Sequence, residues 1–257
     1  MTTSTGHRLR GCGNENSDST FRFFPQLNGI GYNHWLSAGT RIRNNTAEKF
    51  FPNDNLQDKI VRAVIAERVI NIKEILETFE FFARIRKKIK TKCIVDLCCG
   101  HGFAGLLFAV FERKVEKVIL VDKIEPPSRR KLIECLAGVA PWILGKIENR
   151  TQSIHAELSW LESKSSIISA HACGTLTDRC IELAISCRGH VAVLPCCYPD
   201  KACPAPRAVG LALGNDVAFD IDRTYRLSNA GYHVKWQYIP RVITPKNRLI
   251  LAYLGLS

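Results

Sequence analysis

No run of eighteen apolar residues occurs in this chain of 257, so no membrane-spanning helix is expected. The first twenty residues contain no apolar segment of the signal-peptide kind and read as a disordered polar tail. No internal repeat is present, which sets aside solenoids and propellers. No C-x-x-C pair occurs among the 11 cysteines. That odd number, placed mostly inside apolar runs, fits reduced thiols in a cytoplasmic protein rather than a disulfide scaffold. Acidic residues are scarce, with 24 Asp and Glu against 36 Lys and Arg, a formal charge of +12. An anionic partner is expected, nucleic acid first, and no membrane partner is assigned.

What is present is a hydrophobic fraction of 46%, enough to bury a full core. Ile60, Val64, Val69, Ile72, Leu76 and Phe79 recur at three-, four- and five-residue steps, and neither Gly nor Pro interrupts them. This predicts one long helix from Leu56 to about Ile89, capped by Asn53 or Asn55. Its end carries six basic residues from Arg84 to Lys92, the densest positive cluster of the chain. Arg84, Arg86, Lys87 and Lys88 are therefore the candidate RNA contacts.

From Cys93 onward short β-rich runs alternate with helical stretches, which predicts a mostly parallel sheet covered on both faces. The last two strands, near 232–240 and 247–254, are joined by too short a turn for a parallel crossover, so they form an antiparallel hairpin. The expected division is a tail over 1–20, a helical extension over 21–92 and an α/β domain over 93–257.

CIVDLCCGHGFAG, residues 93–105, is the stretch that points to a ligand. A strand ends at Asp96, a glycine-rich turn follows, and a helix begins near Phe103. Ligands of open α/β sheets bind at such carboxyl ends, and glycines let a cofactor approach the backbone. The next strand, KVILVD, ends in Asp122, whose carboxylate suits the two hydroxyls of a ribose. NAD and S-adenosylmethionine fit these two features equally. With Cys98 opening the turn, the reading D-x-G-x-G-x-G from Asp96 through Gly100 and Gly102 is preferred over a dinucleotide fingerprint, Cys98 standing in the first glycine position and implying a less strained turn there.

Two later motifs, HACGTLTD over 171–178 and PCCY over 195–198, extend this. Together with the glycine turn and the reversed last strand they resemble class I S-adenosylmethionine-dependent methyltransferases. In particular they resemble the methyltransferase-like 25 group, and more distantly the tRNA 2′-O-methyltransferases. The resemblance spans Cys93 to about Leu254 and implies a Rossmann-like α/β fold, S-adenosyl-L-methionine as cofactor, and RNA (tRNA or rRNA) as acceptor. A protein acceptor and a non-catalytic binding module are the alternatives. The family pattern has a histidine after PCCY, where this chain has Pro199.

Asp96, Cys98, Gly100, Gly102, Asp122 and His171 are the expected cofactor contacts. His171 is also the candidate base or orienting donor, since imidazole changes charge near neutral pH. Tyr198 is expected to stack on a base or to pack on the N-terminal extension, Asp178 to cap or salt-bridge its own turn, and Cys196 to act as a nucleophile. No metal is assigned, because adjacent cysteines on a strand face opposite ways.

Overall fold

The structure, a computed structural model, describes residues 20–29, 40–89, 91–198 and 203–255. The expected tail, Thr20 apart, lies outside them, as does Pro199. Helices α1 (Asn44–Phe50), α2 (Leu56–Ala66) and α3 (Ile72–Ile85) precede the sheet. Then come β1 (Cys93–Leu97), α4 (Phe103–Phe111), β2 (Lys117–Asp122), α5 (Pro127–Val139) and β3 (Ile147–Thr151). The second half holds β4 (Ser166–Ala170), α6 (Leu176–Cys187), β5 (Val191–Leu194), α7 (Arg207–Leu213), α8 (Asn215–Asn229), β6 (His233–Tyr238) and β7 (Arg248–Tyr253).

One sheet takes the order β3-β2-β1-β4-β5-β7-β6. Its first five strands pair in parallel, while β7 runs antiparallel to both β5 and β6. The expected mostly parallel α/β sheet with its antiparallel ending is therefore the observed one. Side-chain alternation along the buried strands divides the core in two. Ile94, Val118 and Leu120 face α3, α4 and α5. Val95, Leu97, Ile119 and Val121 face the α6 and α8 side.

The single helix expected over 56–89 is two helices. Asn55 caps α2 through the Asp58 N–H, and Asn71 caps α3 through the Glu74 N–H at 2.8 Å. Between them Arg68 adopts a left-handed φ of 52°. The five-residue step from Val64 to Val69 marks this break, because a continuous helix keeps one apolar stripe only with three- and four-residue steps. α3 is buried on nearly every side, including Ile75, Phe79, Phe81 and Phe82. Phe79 meets Phe23 and Phe24 at centroid distances of 4.9 Å, and Phe82 meets Phe108 of α4 at 4.9 Å. The segment preceding the sheet thus shares the core of the sheet's α4 face. α7 is a short helix that begins after Pro206 and ends at Gly214.

Candidate active site

The strand order sets the carboxyl ends of β2, β1, β4 and β5 side by side, and every motif singled out above lies on the loops that follow them. At the β1 end Asp96 is buried, and its Oδ2 accepts the Gly105 N–H at 2.8 Å. Burial pushes its carboxyl up to about 7, against the pull of that hydrogen bond and of Arg129. A Cβ on Gly105 would meet Leu120 at 2.7 Å and Val118 at 2.9 Å. That glycine therefore lets α4 lie close on the sheet, which aims the helix N-terminus at the turn.

Cys98 keeps a left-handed φ of 54°. The turn is not relaxed by the substitution, contrary to expectation; a side chain occupies a conformation that costs a non-glycine residue roughly 1–2 kcal/mol. Gly100 is also left-handed, with nothing within 4 Å of where its Cβ would stand. Its N–H donates to Asp122 Oδ2 at 2.7 Å. Its carbonyl accepts from Arg129 Nε and Nη2 at 3.0 and 2.7 Å, and Arg129 is wholly buried. Among the described residues Asp122 Oδ1 has only a long contact, 3.4 Å from the Ile124 N–H, so its acceptor capacity is largely unspent there. Gly100, Gly102 and Gly105 also stand at G-x-G-x-x-G spacing. The glycines alone therefore do not separate the two cofactor readings, whereas the reversed β7 is foreign to a dinucleotide domain.

His171 follows β4 with a left-handed φ of 70°, the kind of backbone strain that clusters at functional sites. Its Nε2 lies 3.1 Å from Glu77 Oε2 of α3, and Lys73 Nζ lies 3.3 Å from the same oxygen. Burial works against the Glu77 charge, but the His171 hydrogen bond and charge, with Lys73, outweigh it and hold the carboxyl below its ordinary value. Glu77 Oε1 is buried and finds no hydrogen-bond partner among the described residues. Nearby, Glu74 faces His101 at 3.8 Å, and His101 Nδ1 meets Ser128 Oγ at 2.6 Å. Burial raises the Glu74 carboxyl, with His101 and His171 opposing it.

Glu74, Glu77 and His101 escaped the sequence reading. One signal was available: Lys73, Glu77, Glu80 and Arg84 recur at four-, three- and four-residue steps, a charged stripe on a helix whose other positions, Glu74 and Thr78 apart, are apolar. The stripe also corrects the assignment of Arg84. That residue is 3% exposed, and its guanidinium binds Glu80, the Tyr238 carbonyl and the Thr20 carbonyl. It is a structural ion pair and not a phosphate contact. Arg86 donates to Glu112 at 2.7 Å and lies over the Phe82 ring, while Lys87 and Lys88 are exposed. These join Arg22 and Lys235 around a surface cavity of about 630 Å³.

The PCCY loop departs from expectation in two ways. Tyr198 packs on α8, not on the N-terminal extension: its hydroxyl donates to Asp220 at 2.7 Å, and Arg223 lies 5.5 Å from the ring centroid. Arg223 is wholly buried and bridges Asp178 at 3.0 Å, Asp220 at 3.2 Å and the Gly174 carbonyl at 3.2 Å. Asp178 therefore salt-bridges α8, through Arg223 and Arg226, rather than its own turn. Cys196 is a poor nucleophile as it stands. Burial raises its thiol, and its thiol neighbours Cys173 and Cys197 raise it further, whereas reactive cysteines sit in electropositive surroundings. The reason given for setting a metal aside does not hold here either, because β5 ends at Leu194 and Cys196 and Cys197 lie beyond the strand.

Comparison with known proteins follows this geometry. A family model described as "Methyltransferase domain" matches residues 70–202. A glutathione S-transferase C-terminal domain-containing protein of Xenopus laevis is 31% identical over 108 residues, 41% of this chain and 16% of that protein. The chain thus matches about a sixth of the length of that curated relative. Three solved structures are similar to this chain at low identity. The methyltransferase domain of a bacterial CtHen1 has a TM-score of 0.45 and 13% identity, covering 69% of this chain and 97% of that one. The ribosomal protein L11 methylase of Lactobacillus delbrueckii subsp. bulgaricus has 0.42 and 9%, covering 72% and 79%. The fibrillarin pre-rRNA processing protein of Methanococcus jannaschii has 0.42 and 10%, covering 65% and 68%.

Proposed function

We propose, from the premise that the chain belongs to the methyltransferase-domain family, that it methylates RNA with His171 at the acceptor. It is a methyltransferase, and S-adenosylmethionine is its methyl donor. The residues present fit that group. Gly100 offers open backbone, Asp122 an oxygen with spare acceptor capacity, and Glu77 a buried carboxylate oxygen for a cationic or hydroxyl donor. When bound, the sulfonium supplies an activated methyl group. Everything else falls to the chain.

In this reading Asp122 holds the ribose hydroxyls, and the Gly100 turn, braced from behind by Arg129, lies against the nucleoside. The Glu77 carboxylate holds the proton of His171 on Nε2, so that Nδ1 is the nitrogen able to take a proton from the acceptor hydroxyl or amine. Methyl transfer needs little more than positioning and removal of that proton. The Arg223 network serves the first need by fixing both motif loops on α8.

The observation that supports RNA as acceptor is the exposed cluster Lys87, Lys88, Arg22 and Lys235 beside the end of α3. The rise along α3 from Glu77 to Ile85 is on the order of 12 Å, short enough for one nucleic-acid strand to touch both the cluster and the site. The likeness of HACGTLTD and PCCY to the methyltransferase-like 25 group and to tRNA 2′-O-methyltransferases points the same way. The test is transfer of labelled methyl from S-adenosylmethionine to total RNA and total protein fractions. Ribonuclease-sensitive label is expected. Protease-sensitive label would reassign the acceptor to protein, and binding of S-adenosylhomocysteine without any label would make the chain a binding module.

A further inference from the structure

Three thiols converge where the loops after β4 and β5 meet. The Sγ atoms of Cys173 and Cys196 lie 3.2 Å apart, those of Cys196 and Cys197 lie 3.7 Å apart, and all three fall within 4.8 Å of one another. Two cross-loop bonds hold this arrangement: His171 N–H to the Leu194 carbonyl and Gly174 N–H to the Cys197 carbonyl, both 3.1 Å. Because β5 has already ended at Leu194, the loop is free to turn two consecutive side chains toward Cys173.

These thiols are not core filler. Cys180 and Cys187 are buried, as small apolar residues are, whereas Cys173 and Cys197 are exposed and Cys196 is half-buried. The spacing also has a chemical meaning. Thiolates bound tetrahedrally to zinc at about 2.3 Å stand roughly 3.8 Å from one another. The observed sulfurs reach that separation with shifts of a few tenths of an ångström to about an ångström, within the freedom of a thiol side chain.

We propose that Cys173, Cys196 and Cys197 form a three-thiolate site for one zinc ion, with the fourth coordination position left to water or an incoming ligand. No further His, Cys, Asp or Glu side chain among the described residues joins the group within its span. Three protein ligands and an open position distinguish it from a closed four-ligand structural centre. An all-thiolate set selects zinc over magnesium or calcium, which prefer oxygen. The ion clamps the loop bearing His171 to the loop bearing Tyr198, whatever molecule is methylated. Zinc is bound by thiolates and not by thiols, so loading releases protons.

The test uses the full chain, purified under reducing conditions and stripped with a chelator. Zinc is titrated against a chromophoric chelator, and cobalt(II) is added separately as a spectroscopic substitute. One zinc per chain and a thiolate-to-cobalt charge-transfer band are expected. Cys173→Ser and Cys196→Ser should each weaken zinc binding by more than the roughly 10- to 100-fold that changes around a metal site typically cost. Cys135→Ser, remote from the group, should leave one zinc bound. A folded protein that retains no zinc and shows no cobalt–thiolate band would overturn the proposal, as would unchanged zinc affinity in Cys173→Ser. A quantitative Cys173–Cys196 disulfide in the protein isolated without reductant would also overturn it, and would assign the pair to redox chemistry instead.

Discussion

The two halves of the carboxyl edge are built differently. The half after β1 and β2, which the proposal gives to the methyl donor, is mostly backbone: left-handed Cys98 and Gly100, tight Gly105, and carboxylates that receive main-chain N–H groups. The half after β4 and β5, which the proposal gives to the acceptor, is side chains held by partners from distant helices. His171 rests on Glu77 of α3, and Asp178 and Tyr198 rest on Arg223 and Asp220 of α8. A cofactor shared by a whole family can be met by a fixed backbone cradle. An acceptor that varies is met by side chains whose support can change independently of the sheet.

The sharpest break in this contrast should come at Arg223. Arg223→Met leaves Asp178 and Asp220 partly uncompensated in the interior, and losing one partner of a buried ion pair costs about 3–5 kcal/mol. Thermal or urea unfolding should show a loss of that order, with the Cys173–Tyr198 loops becoming protease-sensitive first. If stability hardly moves, the acceptor half does not depend on α8.

Asp122→Ala probes the donor half. Affinity for S-adenosylhomocysteine should fall about tenfold or more, the loss of one charge-assisted hydrogen bond. Calorimetry with NADH as the comparison ligand checks this, and NADH should not bind. Equal affinity in wild type and variant would remove Asp122 from the ribose.

Asp96 gives a pH signature. Its carboxyl is raised in the folded protein from an ordinary 3.8 to about 7. Between those values the folded state holds a proton that the unfolded chain releases. This contribution to stability is fully present below about pH 4 and lost as pH rises through 7. Asp96→Asn keeps an oxygen for the Gly105 N–H and removes the titration. Its melting temperature should therefore fall less than that of wild type between pH 5 and 8, and parallel curves would place the Asp96 titration elsewhere.

The smallest expected effect lies on the surface. Replacing Arg86, Lys87 and Lys88 together by glutamine should flatten the salt dependence of RNA binding, each lost phosphate contact reducing the slope by about 0.7 for single-stranded RNA. Arg84 belongs outside this set, because its substitution would disturb the fold through Glu80. A slope that stays put would leave the cluster as a solvated helix end.

Sequence patterning alone determined the alternation of strands and helices, the reversed ending, and the loops that hold the donor site. Those follow from apolar period, glycine placement and connection length, which are local properties. Even the break after α2 was written in a five-residue step among the apolar positions. Tertiary structure alone decided that His171 meets Glu77, that Tyr198 belongs to α8, and that Cys173 shares a corner with Cys196 and Cys197. Each of these depends on where side chains more than twenty residues apart come to rest, and a buried charge is placed by its partner rather than by its own position in the chain.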